Sequence, residues 1–436
     1  MGHISEHIKE NEVLNEDLIV KCMHCALCLP SCPTYAITGD EKSSPRGRIR
    51  LMRSVASGEL GITKEFVREM NFCLDCQACE TACPAGVHYG SLVESARVRI
   101  AQEWGESPVE HLLKKILLNW AFRRRERFEF FARLLRLYRT SGLQWLIKST
   151  KVLLLFSRRL HEAQSLTPII SKTFSSQLLL ERVQSTTSTK YKAGFLTGCF
   201  MDVAFADVNV DTVRLLTHHG CDVFVPPEQI CCGSLQAHNG DFATAQDLAR
   251  RNIDAFSKGD LDVIIMNSAG CGAFMKQYGE ILSEDPQYAE RAAKLASKVK
   301  DLTEFLADVG LRTKSTPDAS LRNKRVTYHD ACHLAHSQKI TEQPRKLVRA
   351  VPTIEFSELP ESSWCCGSAG TYNITHYEAS MQLLERKLDN VKKISPQILV
   401  TSNPGCLIQL KYGMDRDGLE VELLHIATFL RRACCD

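Results

Sequence analysis

CMHCALCLPSCP at residues 22–33 and CLDCQACETACP at residues 73–84 are two copies of one pattern, Cys-x2-Cys-x2-Cys-x3-Cys-Pro, offset by 51 residues. A [4Fe–4S] cluster is held by four thiolates. Three cysteines spaced two apart wrap it as a tight loop, and the fourth ligand arrives from elsewhere. Structural zinc also uses Cys-x2-Cys pairs, but it calls for neither three cysteines in succession nor a following Cys-Pro, still less for both twice. The pair therefore predicts two [4Fe–4S] clusters rather than zinc. Pro33 and Pro84 fix the backbone just after the fourth cysteine and remove one amide donor.

A second repeat fills the C-terminal half. Cys199, Cys231-Cys232-Gly233 and Cys271 recur as Cys332, Cys365-Cys366-Gly367 and Cys406, at offsets of 133, 134 and 135 residues. A near-constant offset over three separate features predicts a duplicated domain of about 130 residues. Short apolar runs at 193–196, 263–266, 326–328 and 398–400 each lead within a few residues into a cysteine, and helical patterns (208–219, 242–257, 376–388) intervene. Strands alternating with helices predict parallel α/β units, whose ligands sit beyond the carboxyl ends of the strands. Helical patterns at 46–57, 63–71 and 91–103 surround the first repeat. The expected architecture is α + α/β: a helical two-cluster ferredoxin domain (1–104), a basic helical linker (105–190) closing on the polar stretch QSTTSTKY (184–191), and two cysteine-rich domains (191–318 and 319–436).

The chain has 436 residues, 44% hydrophobic and 24% charged, which suits globular domains with a sizeable core. Nineteen cysteines without an apolar leader at residues 1–18 predict a reducing, cytoplasmic setting, where clustered cysteines read as metal ligands rather than bridges. Net charge is +3, but residues 110–160 hold 13 Lys and Arg against three acids, a local +10 that leaves −7 elsewhere. That basic region (Lys114, Lys115, Arg123, Arg124, Arg125, Arg127, Arg133, Arg136, Arg139) fits an anionic membrane or an acidic partner surface, or a solvated face. No groove-reading motif accompanies it, so nucleic acid is not expected. No apolar run spans a bilayer, so a peripheral position on the cytoplasmic membrane is the furthest the charge goes. Phe131, Leu134, Leu135 and Tyr138 recur at helical spacing within this region.

In two-cluster ferredoxins the fourth cysteine of each run serves the other cluster. Carried onto this chain, Cys22, Cys25, Cys28 and Cys83 hold one cluster, and Cys73, Cys76, Cys79 and Cys32 the other. The Cys-Cys-Gly sets (Cys199, Cys231, Cys232, Cys271 and Cys332, Cys365, Cys366, Cys406) have three open readings: one or two additional metal sites, an iron–sulfur cluster among them, a redox-active thiol surface such as a thiol–disulfide oxidoreductase would use, or partly reactive, partly buried thiols left on a duplicated scaffold. Adjacent cysteines cannot both face one way along a strand, so each pair should sit on a turn, with Gly233 and Gly367 at positive φ. Arg46, Arg48 and Arg50 either raise a cluster potential or form a solvated helix face. His24 and His88 read as surface histidines or cluster neighbours, and His333 as a structural histidine or a ligand. Cys221 reads as a buried hydrophobe, and Cys434 and Cys435 as parts of a frayed end.

The C-terminal half resembles the cysteine-rich domains of heterodisulfide reductases and succinate dehydrogenase-type accessory subunits. That pattern ends in Cys-x2-Cys, and here the earlier position is Ser268 in one copy and Asn403 in the other. On GDEKSSPRGRIRLM (39–52), RRNIDAF (250–256), SAGCGAFMKQYG (268–279) and CCGSAGTYNITH (365–376), the whole chain is similar to the iron–sulfur subunits of glycolate oxidases. The two ends and 105–190 match least well. Electron-transfer subunits of anaerobic glycerol-3-phosphate dehydrogenase and of lactate utilisation share parts of the pattern. The resemblance implies that an FAD-containing partner subunit takes a hydride from glycolate or D-lactate. This chain then relays electrons toward a quinone or other acceptor. No Gly-x-Gly-x-x-Gly follows a strand, so no flavin or nicotinamide site is expected in this chain.

Overall fold

A computed structural model describes residues 16–105, 115–155, 161, 162 and 164–435. The α + α/β expectation is met. The N-terminal unit is helical: Pro33–Thr38, Pro45–Ala56, Lys64–Phe72, Ala78–Thr81 and Tyr89–Glu103. Local chemistry sets these boundaries. Pro33 and Pro45 open their helices at positions where the missing amide hydrogen has no helical partner anyway. Ser44 accepts from the Gly47 amide, and Thr63 from the Phe66 amide. One apolar face of each longer helix meets the others in a core of Ile49, Met52, Phe66, Met70, Leu92 and Val93.

The C-terminal half holds two sheets. Strands β1 (Arg182–Val183), β2 (Tyr191–Phe195), β3 (Cys221–Phe224), β4 (Val263–Met266) and β5 (Val299–Asp301) lie in the order β1-β3-β2-β4-β5. All pairings except β1 with β3 are parallel. Strands β6 (Arg325–Tyr328), β7 (Glu355–Phe356), β8 (Ile398–Thr401) and β9 (Glu422–His425) repeat the order as β7-β6-β8-β9, all parallel. In each sheet the order reverses at its first and third repeated strands, β2 with β4 and β6 with β8. That switch point is where α/β sheets open a crevice beyond the strand ends, and Cys199, Cys271, Cys332 and Cys406 emerge there.

The two sheets share one continuous core. Phe195, Leu215 and Val263 pack in the same cluster as Tyr328, Val400 and Phe429. A buried polar chain reinforces the join: His425 Nε2 donates to the Asn267 carbonyl (2.8 Å), and Asn267 Nδ2 donates to Asn209 Oδ1 (2.8 Å).

Several sequence expectations need correction. The chain end is not frayed: Ile426–Cys434 is a helix packed on Ala206–His218, and Cys434 is buried in the shared core. The polar stretch at 184–191 is tied to the sheet edge, with the Ser185 amide on Asp222 Oδ1 (2.9 Å) and the Thr186 amide on the Thr217 carbonyl (3.2 Å). In the basic region, helix Arg125–Thr140 turns Phe131 and Leu135 inward, whereas Leu134 faces out. Lys114 lies outside the described residues.

Candidate metal centres

The two ferredoxin loops are wound alike. His24 (φ 55°) and Ala26 (φ 72°) flank Cys25; Asp75 (φ 54°) and Gln77 (φ 59°) flank Cys76. None of the four is glycine, so each stands in the left-handed region at about 1–2 kcal/mol. The same unfavourable conformation at matching positions of both loops has a common cause: it turns successive thiols to one side. In the second loop Cys73, Cys76 and Cys79 line a cavity of about 20 Å³, and Cys32 from the first repeat lines it too. In the first loop Cys22 and Cys28 pack with Cys83 against the helical core, and Cys25 is exposed.

The surroundings of Cys32 and Cys73 suit a negatively charged group. The Asp75 amide donates to Cys73 Sγ (3.3 Å), Tyr89 Oη donates to the same sulfur (3.7 Å), and the Val87 amide reaches Cys83 Sγ (3.5 Å). Arg48 is fully buried. Its Nε donates to the Glu69 carbonyl (2.7 Å) and its Nη1 to Thr34 Oγ1 (3.0 Å), while Nη2 has no hydrogen-bond partner. Burial works against this cation, yet Tyr89, Cys73, Cys32 and Glu69 outweigh it and hold the guanidinium charged. Burial pushes the Cys76 and Cys79 thiols well up. Four buried thiols round one small cavity therefore become thiolates together only when the group they hold brings positive charge. The donor set fits an iron–sulfur cluster on this ground. Of the three arginines weighed from sequence, Arg48 lies beside the thiols, Arg46 donates to the His24 carbonyl of the first loop (3.0 Å), and Arg50 is exposed.

Each Cys-Cys-Gly sequence sits on a turn, with Gly233 at φ 98° and Gly367 at φ 90°. A side chain at Gly367 would collide with the Ser380 carbonyl. In the first set, Cys199 Sγ and Cys231 Sγ are 3.7 Å apart. Hydrogen bonding with Cys199 and Cys232, together with burial, pushes Cys231 up, while bonds from Cys231 and Cys271 hold Cys232 down. Phe122 and Leu248 pack over this set. In the second set the interactions run Cys332–Cys365–Cys366–Cys406. Ser268 and Asn403 hydrogen-bond the thiols of Cys271 and Cys406, the latter at 3.7 Å. Cys332 and Cys365 pack in one cluster with Leu74 and Cys76, so the second set abuts a ferredoxin loop.

Sequence reasoning missed the group that joins these parts. Asp75, between Cys73 and Cys76, is buried and meets His238 Nδ1 (3.0 Å) from the first cysteine-rich unit. The same nitrogen lies 2.8 Å from Glu94. Arg97 Nη1 donates to the His238 carbonyl (3.1 Å), and Arg97 Nη2 to the Cys73 carbonyl (2.6 Å). His333, from the second unit, stacks on His238 at 5.2 Å and donates from Nε2 to the Asp75 carbonyl (3.1 Å). His333 thus takes its structural reading. Burial alone would lower His238, but the Asp75 and Glu94 carboxylates prevail and hold it up at about 10, as an imidazolium. Burial takes His333 down to about 4, as a neutral ring.

Three family models match in chain order: 4Fe-4S dicluster domain at 21–87, the linker region of glycolate oxidase iron-sulfur subunits at 109–167, and the cysteine-rich domain twice, at 193–276 and 326–411. The probable glycolate oxidase iron-sulfur subunit of Bacillus subtilis is 38% identical, over 99% of this chain and 97% of the relative. The chain belongs to the family of glycolate oxidase iron–sulfur subunits. The glycolate oxidase iron-sulfur subunit of Escherichia coli K12 is 29% identical over 93% of this chain and 94% of its own length. Lactate utilization protein A of Shouchella clausii, 32% identical, matches 53% of the chain. The linker match amends the sequence reading, in which 105–190 resembled the family least. Family membership carries with it iron–sulfur clusters and a place in an oxidoreductase complex.

Proposed function

We propose that this chain is the electron-transfer subunit of a flavin-dependent 2-hydroxyacid dehydrogenase, of the type that converts glycolate to glyoxylate and extends to D-lactate and pyruvate. The observation that carries the reading is the meeting of Cys32 with Cys73, Cys76 and Cys79 around one cavity. It is the crossed arrangement by which two loops hold two clusters. Cys73, Cys76, Cys79 and Cys32 are the ligands of one, and Cys22, Cys25, Cys28 and Cys83 of the other. Bound at these thiolates, such a cluster accepts and donates one electron at a time. The chain's own residues set the terms. Arg48, Tyr89 and the loop amides stabilise added negative charge, and Leu74 and Tyr372 keep water from Cys76. FAD and the hydride step belong to a partner subunit, and a quinone or another acceptor takes the electrons onward. The test is anaerobic purification with the partner. About eight irons per chain, as two cubanes require, and a co-purifying flavoprotein are expected. A colourless preparation with zinc at these sulfurs sinks the reading.

The basic linker gives the complex a membrane-facing side. Helix Arg125–Thr140 exposes Phe130, Leu134 and Leu137, and helix Leu143–Thr150 exposes Leu143, Leu146 and Trp145, the last at 72%. Leu155 follows at 83%, and Arg124, Lys148 and Lys151 stand exposed among them. Among the described residues no helix is long and apolar enough to cross a membrane. Apolar tips among cations suit the headgroup boundary of an anionic bilayer, at about 1 kcal/mol per cation near the surface. Co-sedimentation with vesicles containing about one-third phosphatidylglycerol is expected, weakened by salt and by Trp145→Ser with Leu155→Ser. Equal binding to pure phosphatidylcholine would remove the electrostatic part, and no binding to either would remove the membrane.

A further inference from the structure

His329 closes strand β6, three residues before Cys332. Its ring is buried, and neither Nδ1 nor Nε2 makes a hydrogen bond of normal geometry, the Ser362 carbonyl being the one backbone group that interacts with it. An imidazole without a well-formed hydrogen bond in the interior costs about 1–3 kcal/mol, so something should occupy the space before it. That space holds two thiols. A ring nitrogen of His329, Cys366 Sγ and Cys406 Sγ all lie within 4.8 Å of one another, and all three residues are buried.

The duplicated scaffold supplies its own comparison. The residue three before the matching cysteine of the first unit, Cys199, is Leu196, at the end of β2 and also buried. Where the fold needs only packing at this position, it uses an apolar side chain. A second exchange follows the first. The glycine after Cys-Cys lies against the Ala245 carbonyl in one unit and the Ser380 carbonyl in the other. On that register Lys387 takes the place of Asn252. Asn252 is a neutral amide bonded to the Cys231 carbonyl (2.9 Å). Lys387 is a fully buried cation whose Nζ donates to the Glu361 and Ser362 carbonyls and interacts with Cys365 and Cys366. One unit thus has thiols beside leucine and asparagine, the other thiols beside an imidazole and an ammonium. An ammonium at the back of a thiol set offsets thiolate charge.

We propose that His329, Cys366 and Cys406 bind a single soft divalent metal ion of the zinc class, and that the matching thiols of the first unit do not. Bonds of about 2.3 Å to sulfur and 2.0–2.1 Å to nitrogen keep the donors of one ion within about 4.6 Å of each other, the scale of this triad. Imidazole with two thiolates suits zinc, which is indifferent to geometry and redox-inert. Binding converts the two thiols to thiolates and releases two protons, while His329 enters neutral. The fourth position is left to water or to Cys365. The ion would pin the end of β6, the Cys-Cys-Gly turn and helix Pro404–Asp417 to one point. Through Cys365 and Cys332, that point backs the loop carrying Cys76. The inference stands apart from the two-cluster reading, because the metals and the residues differ.

The full chain, purified anaerobically from zinc-supplied cells, is expected to carry one zinc, with X-ray absorption at the zinc edge showing nitrogen and sulfur donors together. His329→Leu places in the second unit the residue that the first already tolerates. It should lower bound zinc at least tenfold and leave iron unchanged. Cys406→Ser should do the same. As a measurement free of folding defects in variants, Co2+ added to the zinc-stripped wild-type chain should give a sulfur-to-cobalt charge-transfer band. Full zinc retention in His329→Leu, an all-sulfur zinc edge, or no zinc and no cobalt band in the wild-type chain would each overturn the proposal. So would iron beyond that of two cubanes that is lost in Cys406→Ser, which would assign the thiols to a further cluster. A wild-type chain that carries the zinc but no iron would instead count against the two-cluster reading alone.

Discussion

Replacing Cys76 by Ser is expected to halve the iron, from about eight to about four atoms per chain, and to cut electron delivery to an acceptor by at least about 100-fold, since one of two cubanes goes. Cys76 lies at the middle of the second loop between two left-handed residues, is buried, and packs against Cys365 and Leu74. A serine there loses the soft ligand and puts a hydroxyl in its place, so the loop keeps its strain without the bond that offsets it. Substrate-dependent bleaching of the partner's flavin should survive, because the hydride step lies in the other chain. Cys221→Ser is the control. Cys221 is fully buried, within the core of the first sheet, in a cluster whose other cysteines, Cys434 and Cys435, are not candidate ligands. Its loss should cost about 1–3 kcal/mol of stability, as an unpaired buried hydroxyl does, and leave iron at eight. Iron content by chemical assay and the EPR of the reduced protein decide. Equal iron in Cys76→Ser and wild type would remove Cys76 from the ligands, and equal iron loss in both variants would reduce the effect to destabilisation.

What could be read from sequence was what coordination chemistry and periodicity fix locally. The spacing Cys-x2-Cys-x2-Cys is a ligand geometry written along the chain, and the four strands before Cys199, Cys271, Cys332 and Cys406 are apolar runs too short for helices. What escaped depends on convergence of distant segments. Ala26 and Gln77 carry no mark of a left-handed conformation, since glycine would have been the signal and the loops do without it. Arg48 reads as one of three alternating arginines, and only the fold decides that it is the buried one. β1, two residues long and next to a polar stretch, has no periodicity to betray it. The shared core of the two sheets makes residues 191–318 and 319–436 one packed body, which their repeat alone does not disclose. His329 is the instructive miss. A signal existed in the register of the repeat, where Leu196 faces a histidine, but it acquires meaning only once Cys366 and Cys406 are seen to lie beside it.

His238→Ala should loosen the ferredoxin unit from the cysteine-rich body by about 3–5 kcal/mol, the cost of leaving a buried charge without its partner. Asp75 is that charge. It is buried on the backbone between two candidate ligands, one of its oxygens lacks any hydrogen-bond partner, and Arg97 at 3.7 Å is the nearest remaining cation. The same contact makes the join sensitive to base. The groups facing His238 are Asp75, Glu94, Arg97 and the stacked neutral ring of His333. Among them the two carboxylates raise the imidazole from 6.5 to about 10. A group whose pKa rises on folding contributes fully below its unfolded value, so the stabilisation is complete below pH 6.5. It declines through the mildly alkaline range and is gone by about pH 10. Glu94 and part of the His238 ring meet solvent, so the full pKa difference overstates the energy. Hydrogen exchange of residues 73–79 and limited proteolysis, followed from pH 6 to 10, should show this loop opening progressively in the wild type. His238→Ala should be open throughout with little pH dependence, and His238→Gln, which keeps a donor without the charge, should fall between. A wild-type loop equally protected at pH 6 and pH 10, or an alanine variant with the wild-type profile, would show that apolar packing of Leu74 and Tyr372 holds the units together and that the charge is incidental.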